Sequence, residues 1–463
     1  MSAPDIDAEA VDRFAALGGD AHLTIVLGAG ASAPSGLPQW DEFATRLATL
    51  SGLVTTEENA RILLSKQDHT IVLEAARVFA GDRWPQLLGT ALFGDGTSDP
   101  VPSPLHLAAA GHHAQLPDST TLATLNFDTL LEDAVLTSGD GVVVGCDGVD
   151  EPGVPTVHHL HGVVFDDDAI SPIVGYRDYA ELVSDEHAWQ RRFLSAALQR
   201  GPILLAGTSY RDPDIRHWLH VILRDERPPH TALVTIAREG LGLDRETFNA
   251  IEQALTAEWQ SIGLSALTMQ DLADVAIVIR ELQFAGSPGY RAPRERARQV
   301  WSSHEQQFLE VQLQYSQALA EDTKRIASAL HVDVHRATLW LADGHGKLAR
   351  WSTEGHQYMT AENLKRIPTG HDSLWIAGEA IAAEEVKLKG VHRQTGVSPT
   401  WQSVLAIPIF VGDGRLPEIA AAVATFGLDG DAAPLLDVED DWSSVVEQLS
   451  GEWGTRLNRV SFT

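Results

Sequence analysis

A single cysteine, Cys146, in 463 residues excludes an intrachain disulfide and a four-cysteine zinc site. Basic residues are also scarce: 34 Lys and Arg stand against 64 Asp and Glu, a formal net charge of −30. Such a surface repels phosphate backbones and anionic membranes. No long Lys/Arg run offsets it, so direct nucleic-acid binding is disfavoured. No apolar run approaches the ~20 residues that a membrane helix needs. The opening MSAPDIDAEAVDRF carries acids and no apolar core, so no secretory signal is expected and a cytoplasmic location is. What the chain does have is 44% hydrophobic residues, enough for a full-sized core, in a length that suits two or three domains.

The first half alternates short apolar runs with helical stretches. Strands are expected at Leu23–Leu27, Thr121–Leu125, Thr156–Leu160, Ile203–Ala206, Ala232–Ile236 and Ala276–Ile279, as runs buried on both faces. Helices are expected at Gln39–Leu50, Asp128–Leu136, Trp189–Leu198 and Arg245–Ser261. That order predicts an α/β fold with a doubly wound, mostly parallel sheet. FAGSPGYRAP, Phe284–Pro293, reads as a boundary. Beyond it Arg294–Leu330 reads as an amphipathic helix with Phe308, Val311, Leu313, Tyr315, Leu319 and Ile326 on its apolar side, either connecting or dimerising or, equally, packed on one domain. The last third predicts an α+β module. Its antiparallel strands are at Ala337–Leu341, Leu348–Ser352, Val404–Phe410 and Ala420–Leu428, with a terminal helix over Val438–Leu457. The domains expected are 1–290, a helical connector 291–330, and 331–463.

Four polar or glycine-rich clusters each follow a predicted strand, the edge at which open α/β sheets bind ligands. The first is Gly28-Ala29-Gly30-Ala31-Ser32, running on to Gly36-Leu37-Pro38-Gln39-Trp40. A glycine turn lets backbone N–H groups approach a pyrophosphate. The third glycine of the usual dinucleotide fingerprint is Ala33 here, and no Walker lysine follows. The others are Thr124-Leu125-Asn126-Phe127-Asp128, His158-His159-Leu160-His161-Gly162, and Gly207-Thr208-Ser209-Tyr210-Arg211-Asp212-Pro213-Asp214-Ile215. Plainer readings stand beside these. Asn126 and Asp128 also suit helix caps, and His161 suits a structural histidine. His158 and His159 suggest a metal only weakly, since neighbouring strand residues face opposite ways. The Asp212-Pro213-Asp214 turn suits a helix start.

GAGAS, GLPQW, TLNFD, HLHG and GTSYRDPDI, in this order, resemble the sirtuin family over roughly residues 20–285. More narrowly they resemble the zinc-less sirtuin-like domains of bacterial anti-phage defence proteins. The resemblance implies that Gly28, Ala29, Gly30 and Ser32 cradle the NAD pyrophosphate, with Trp40 and Gly207 in the same binding set. It implies that Thr208 and Ser209 contact the adenosine side. Asn126 would hold the attacking water or the nicotinamide ribose, His161 would be the general base, and Asp128 would buttress the loop. Deacylating sirtuins carry a four-cysteine zinc module, absent after His161, and an acidic–aromatic–Arg sequence where this chain has Gln39-Trp40-Asp41. The expected activity is therefore NAD glycohydrolysis to nicotinamide and ADP-ribose, with NAD as substrate and no zinc. The alternatives are a non-catalytic NAD or ADP-ribose sensor, and a protein deacylase or ADP-ribosyltransferase.

From about residue 321 the pattern resembles a GAF domain, through the helix Thr323–Leu330, the strand ATLWLAD and the closing pair SVLAIPIFVGDGR and IAAAVATFGL. That resemblance implies a sensor or dimerisation module. The chain would be a homo-oligomeric defence effector released by an unidentified small-molecule or protein activator. Trp351, His356, Trp375 and Trp401 are candidates to line a pocket there, with core or surface packing the favoured reading, and Glu384–Val397 reads as a mobile, partly basic loop.

Overall fold

The computed structural model describes residues 6, 11–12, 22–94, 100–139, 141–165, 169–208, 213–285, 287–391 and 401–462. The chain divides into two compact units, Arg13–Gln283 and Phe284–Thr463, the latter taking in Met1–Asp12.

The first unit is built on seven strands: β1 (Leu23–Leu27), β2 (Thr120–Thr124), β3 (Val143–Gly145), β4 (Thr156–His159), β7 (Ile203–Ala206), β8 (Ala232–Ala237) and β9 (Ser265–Met269). Their order is β3-β4-β2-β1-β7-β8-β9, and every neighbouring pair is parallel. A short antiparallel pair, β5 (Val163–Val164) and β6 (Ala169–Ile170), follows β4. The chain leaves β1 toward β2 on one side and returns through β7 on the other. Strand order thus reverses around β1, and a crevice opens at its carboxyl end.

The helices are α1 (Ala29–Ser32), α2 (Trp40–Leu50), α3 (Glu57–Leu64), α4 (His69–Ala80), α5 (Trp84–Phe93), α6 (Pro104–Gln115), α7 (Leu130–Leu136), α8 (Tyr176–Ser184), α9 (Trp189–Arg200), α10 (Pro213–Val221), α11 (Arg245–Gln260) and α12 (Leu272–Leu282). Helices α9, α10 and α11 bury Leu194, Trp218 and Phe248 against Val26, Leu205 and Val234 of the sheet. Helices α2 to α5 form a helical insert between β1 and β2 with its own core, which includes Phe43, Leu73 and Leu88 and takes in Phe127.

One expected strand is corrected. Ala276–Ile279 lies inside α12, and the ninth strand is the preceding SALTM. Every residue from Val275 to Ile279 is buried, so the run has no polar face by which period could separate helix from strand. Asp271 and Asp274, as a capping box, start a helix there.

The second unit holds an antiparallel sheet in the order β12-β11-β10-β15-β14-β13. Its strands are β10 (Val334–Ala342), β11 (Lys347–Thr353), β12 (Arg366–Pro368), β13 (Lys387–Gly390), β14 (Ser403–Val411) and β15 (Ile419–Leu428). Alternation along β10 sends Leu339 and Leu341 into one core and Trp340 and Ala342 into another. The first core is closed by α13 (Pro293–Gln306), α14 (Phe308–Leu330) and α17 (Glu439–Ser461), the second by α15 (Ile376–Ala383); α16 (Ala432–Leu436) is a short link.

Arg294–Leu330 is thus two helices, broken at Gln307. Its Phe308, Val311, Tyr315, Leu319 and Ile326 are buried as expected, but Leu313 is 50% exposed. The aromatic pocket does not form. Trp351 is fully buried, its ring 5.1 Å from Trp301 and 5.0 Å from Phe308, while His356 is exposed and Trp401 lies against Gly427. Of the loop at Glu384–Val397, Lys387–Gly390 is strand and residues 392–397 lie outside the described residues.

Candidate functional site

β1 and β7 end side by side, and their glycine turns mesh. The Gly28 N–H donates to the Ala206 carbonyl (3.0 Å) and the Gly30 N–H to the Gly207 carbonyl (2.8 Å). A Cβ on Gly28 would stand 2.5 Å from Thr208 Cα, and one on Gly30 2.9 Å from Gly207 O. Gly207 itself has φ +66°. The N–H groups of Gly28 and Gly30 are thus bonded to the neighbouring turn, and a side chain at either position would strike that turn.

One recess is lined by Ala29, Ser32, Trp40, Asn126, Asp128, His161 and Tyr179, over apolar walls that include Phe43 and Leu125. A second shares Ala29 and Trp40 and is lined also by Gly30, Gln39, Asp41, Gly207, Thr208 and Glu239. The three candidate catalytic residues therefore share the first recess, while Gly30, Gly207 and Thr208 belong to the second. Gly28 is wedged beneath both, and Ser209 lies outside the described residues. Carboxylates in the second recess accept bonds from hydroxyl groups and repel phosphates.

Within the first recess Ser32 Oγ is a junction. It accepts from Asn126 Nδ2 (2.7 Å) and meets His106 Nε2 (3.4 Å), with Asp128 lining the same recess. The serine oxygen presents a lone pair to the Asn126 amide, which fixes that side chain. Asn126 Oδ1 then faces away from Ser32. It is buried and without a partner among the described residues, as is Thr208 Oγ1 in the second recess. Such buried polar atoms are what a ligand hydroxyl or water would satisfy.

His106 Nδ1 accepts the Ser103 N–H (3.1 Å), which leaves the ring proton on Nε2, toward Ser32. Burial pushes the His106 pKa down to about 4, so the ring is neutral. Burial also raises the Asp128 pKa, against the lowering effects of nearby Ser32 and of the bond from the Leu130 N–H (3.1 Å). Asp128 thus accepts the first N–H of α7 from just outside the helix, whose N-cap residue is Thr129. His161 is buried just past β4, its ring 5.9 Å from Tyr179 in an edge-to-face contact. The next residue, Gly162, has φ +79°, and a Cβ there would lie 2.3 Å from Ser171 O.

Below the Asn126 loop lies a buried ion pair. His159 Nε2 is 2.6 Å from Glu132 Oε1, and His159 Nδ1 is 3.1 Å from the Asn126 carbonyl. Burial lowers the imidazole pKa, but Glu132 and that carbonyl outweigh it and hold His159 above the ordinary histidine range. His158 turns the opposite way, to Asp150 (2.9 Å) and the ring of Phe193. Among the described residues no group of three or more His, Cys, Asp or Glu is placed to hold a metal. Nor is any helix long and apolar enough to cross a membrane. Sequence reasoning missed Ser103, His106, Glu132 and Tyr179. The Ser103-Pro104 helix start gives His106 a capping position, but nothing local ties it to Ser32 across 74 residues.

Residues 120–266 match a family model described as a SIR2-like domain. The chain resembles several solved structures. One is a Sir2 homologue mutant in complex with ADP-ribose: 15% identity, covering 58% of this chain and 94% of that one, TM-score 0.31. Another is a Sir2 homolog–NAD complex: 15% identity, covering 57% and 90%, TM-score 0.28. A third is Sir2Tm bound to a propionylated peptide: 14% identity, covering 60% and 99%, TM-score 0.28. No curated protein matches the chain.

Proposed function

Starting from a chain that carries a SIR2-like domain, we propose that its first unit is an NAD glycohydrolase. The reading rests on one observation: Asn126, Asp128 and His161 line a single recess that opens beside the β1 turn. NAD and water would give nicotinamide, ADP-ribose and a proton. The nicotinamide–ribose bond breaks toward an oxocarbenium-like ribose, and nicotinamide leaves as a neutral amide-bearing ring. Water attacks the ribose carbon and His161 takes its proton. The unpartnered Asn126 Oδ1 accepts from that water or from a ribose hydroxyl. Its amide is held by Ser32, so the acceptor is positioned before substrate arrives. The shared wall of Ala29 and Trp40 carries the dinucleotide into the second recess, where Thr208, Gly207 and Gly30 meet its adenosine half, with Ser209 continuing that contact.

Around this activity we place a sirtuin-like domain at 1–290, a helical connector at 291–330 and a GAF-like sensor or dimerisation domain at 331–463, in a cytoplasmic homo-oligomeric effector of anti-phage defence. An antiparallel sheet with helices on both faces supports the GAF-like reading.

The test is nicotinamide release from NAD by the purified chain, with no acyl-peptide present. Activity that falls ~10²–10⁴-fold in both Asn126→Ala and His161→Ala is the expected result. Equal rates in all three proteins would remove the assignment. Release that needs an acylated peptide would make the domain a deacylase.

A further inference from the structure

In a chain with a net charge of −30, one group of cations in the second unit faces a common recess. A recess there is lined by Arg298, Trp301, Asp343, His345, Lys347 and Arg366. Its base is the tight turn between β10 and β11. Gly344 in that turn has φ +66°, and a Cβ there would stand 2.4 Å from Arg298 Cγ, so the turn is seated directly on α13. Arg298 Nε donates to the Gly344 carbonyl (3.2 Å) and locks the contact.

The one carboxylate in the lining is committed to structure. Asp343 Oδ1 accepts the His345 and Lys347 N–H groups (2.8 and 3.2 Å), and Oδ2 lies 3.5 Å from Arg366 Nε. Asp343 therefore shapes the turn and orients Arg366, and cannot cancel all the cations. Lys347 is exposed, and its ammonium has no carboxylate partner among the described residues. Lys347 and Arg366 stand on one face of the β11–β12 pair, since Lys347 is opposite Pro368 and Ala349 opposite Arg366. Arg366 also lies over the half-buried Trp301 ring, 5.4 Å from its centroid.

Arg298 Nη2 also meets His345 Nδ1 (3.4 Å) and Arg366 Nη1 donates to the Glu362 carbonyl (3.3 Å), so each guanidinium keeps one terminal nitrogen for a ligand. With the Lys347 ammonium beside them and the indole below, these combine donors that grip phosphate oxygens with a surface that stacks a base. We propose that this recess is a binding site for a nucleoside diphosphate or similar nucleotide, separate from the recess of the first unit. Arg298 and Lys347 take the phosphates, and the base stacks on the Arg366 guanidinium that covers Trp301.

Titration calorimetry of the full chain with ADP and, separately, with inorganic pyrophosphate tests this. ADP should bind in low salt, and Lys347→Glu and the double change Lys347→Gln/Arg366→Gln should each weaken it about 10- to 100-fold. Both altered side chains are exposed, and Lys347→Glu leaves the Asp343–Arg366 pair intact, so a folding defect does not explain a loss seen in both. Pyrophosphate should bind more weakly than ADP. The inference is overturned if ADP gives no heat at millimolar concentration. It is equally overturned if both variants bind ADP as the unaltered chain does, which would place the ligand elsewhere, or if pyrophosphate binds as tightly as ADP, which would leave an anion site with no nucleotide selectivity.

Discussion

Ser32→Ala is the sharpest probe of the first recess, because one hydroxyl there serves two buried side chains. Its removal strands the Asn126 amide N–H, bonded at 2.7 Å, and the His106 Nε2–H, at 3.4 Å, both buried. A buried donor left without a partner costs about 1–3 kcal/mol. The 3.4 Å contact is long and belongs at the low end, so the total is about 2–4 kcal/mol of stability. The asparagine also loses what fixes it, and nicotinamide release should fall even though Ser32 takes no part in proton transfer. Urea unfolding of Ser32→Ala, Asn126→Ala and the double variant closes the cycle. If Ser32 and Asn126 act as one unit, the serine change costs at least about 1 kcal/mol less once the amide is gone. Losses that simply add, to within about 0.5 kcal/mol, would refute the junction.

Glu132→Gln should be strongly destabilising, by about 3–5 kcal/mol in urea unfolding, because it removes the carboxylate partner of the fully buried His159 imidazole; a loss below about 1 kcal/mol would mean that the pair contributes little to the fold. Stability should also fall as the pH drops from about 6.5 toward 4. His106, His112 and His304 have folded-state pKa values pushed by burial to about 4, so the unfolded chain binds more protons in that window, at about 3 kcal/mol for each imidazole. His159 has the opposite sign: its raised pKa gives stability that is present below the ordinary histidine range and lost as the pH rises through the folded value. Thermal melts across pH 4–9 would show both limbs, and a flat acid limb would contradict the neutral buried histidines.

The strands of the first unit were legible wherever an apolar run was short and ended in a glycine or polar cluster, as at LTIVL before Gly28 and ILLA before Gly207. AIVI failed because a helix buried on every side carries no period, and SALTM failed because Ser265 and Thr268 dilute its apolar signal. The first recess was legible through Asn126, Asp128 and His161, which sit in compact motifs at strand ends. His106 and Glu132 were not, since each acts through a partner fixed only by tertiary packing: Ser32 for one, His159 for the other. The glycines of the first turn were recognised, but the turn that packs on them was not. A sequence records that a side chain is excluded there, but not whether a ligand or another stretch of backbone excludes it.

The meshed turns tie together two stretches of chain about 180 residues apart, tooth against gap. Lengthening either turn by even one residue pulls its partner out of engagement, so an insertion can be absorbed at this edge only if both loops are recut together. The first unit can be elaborated freely along its outer helices, but the Gly28 and Gly207 turns change as a pair or stay as they are.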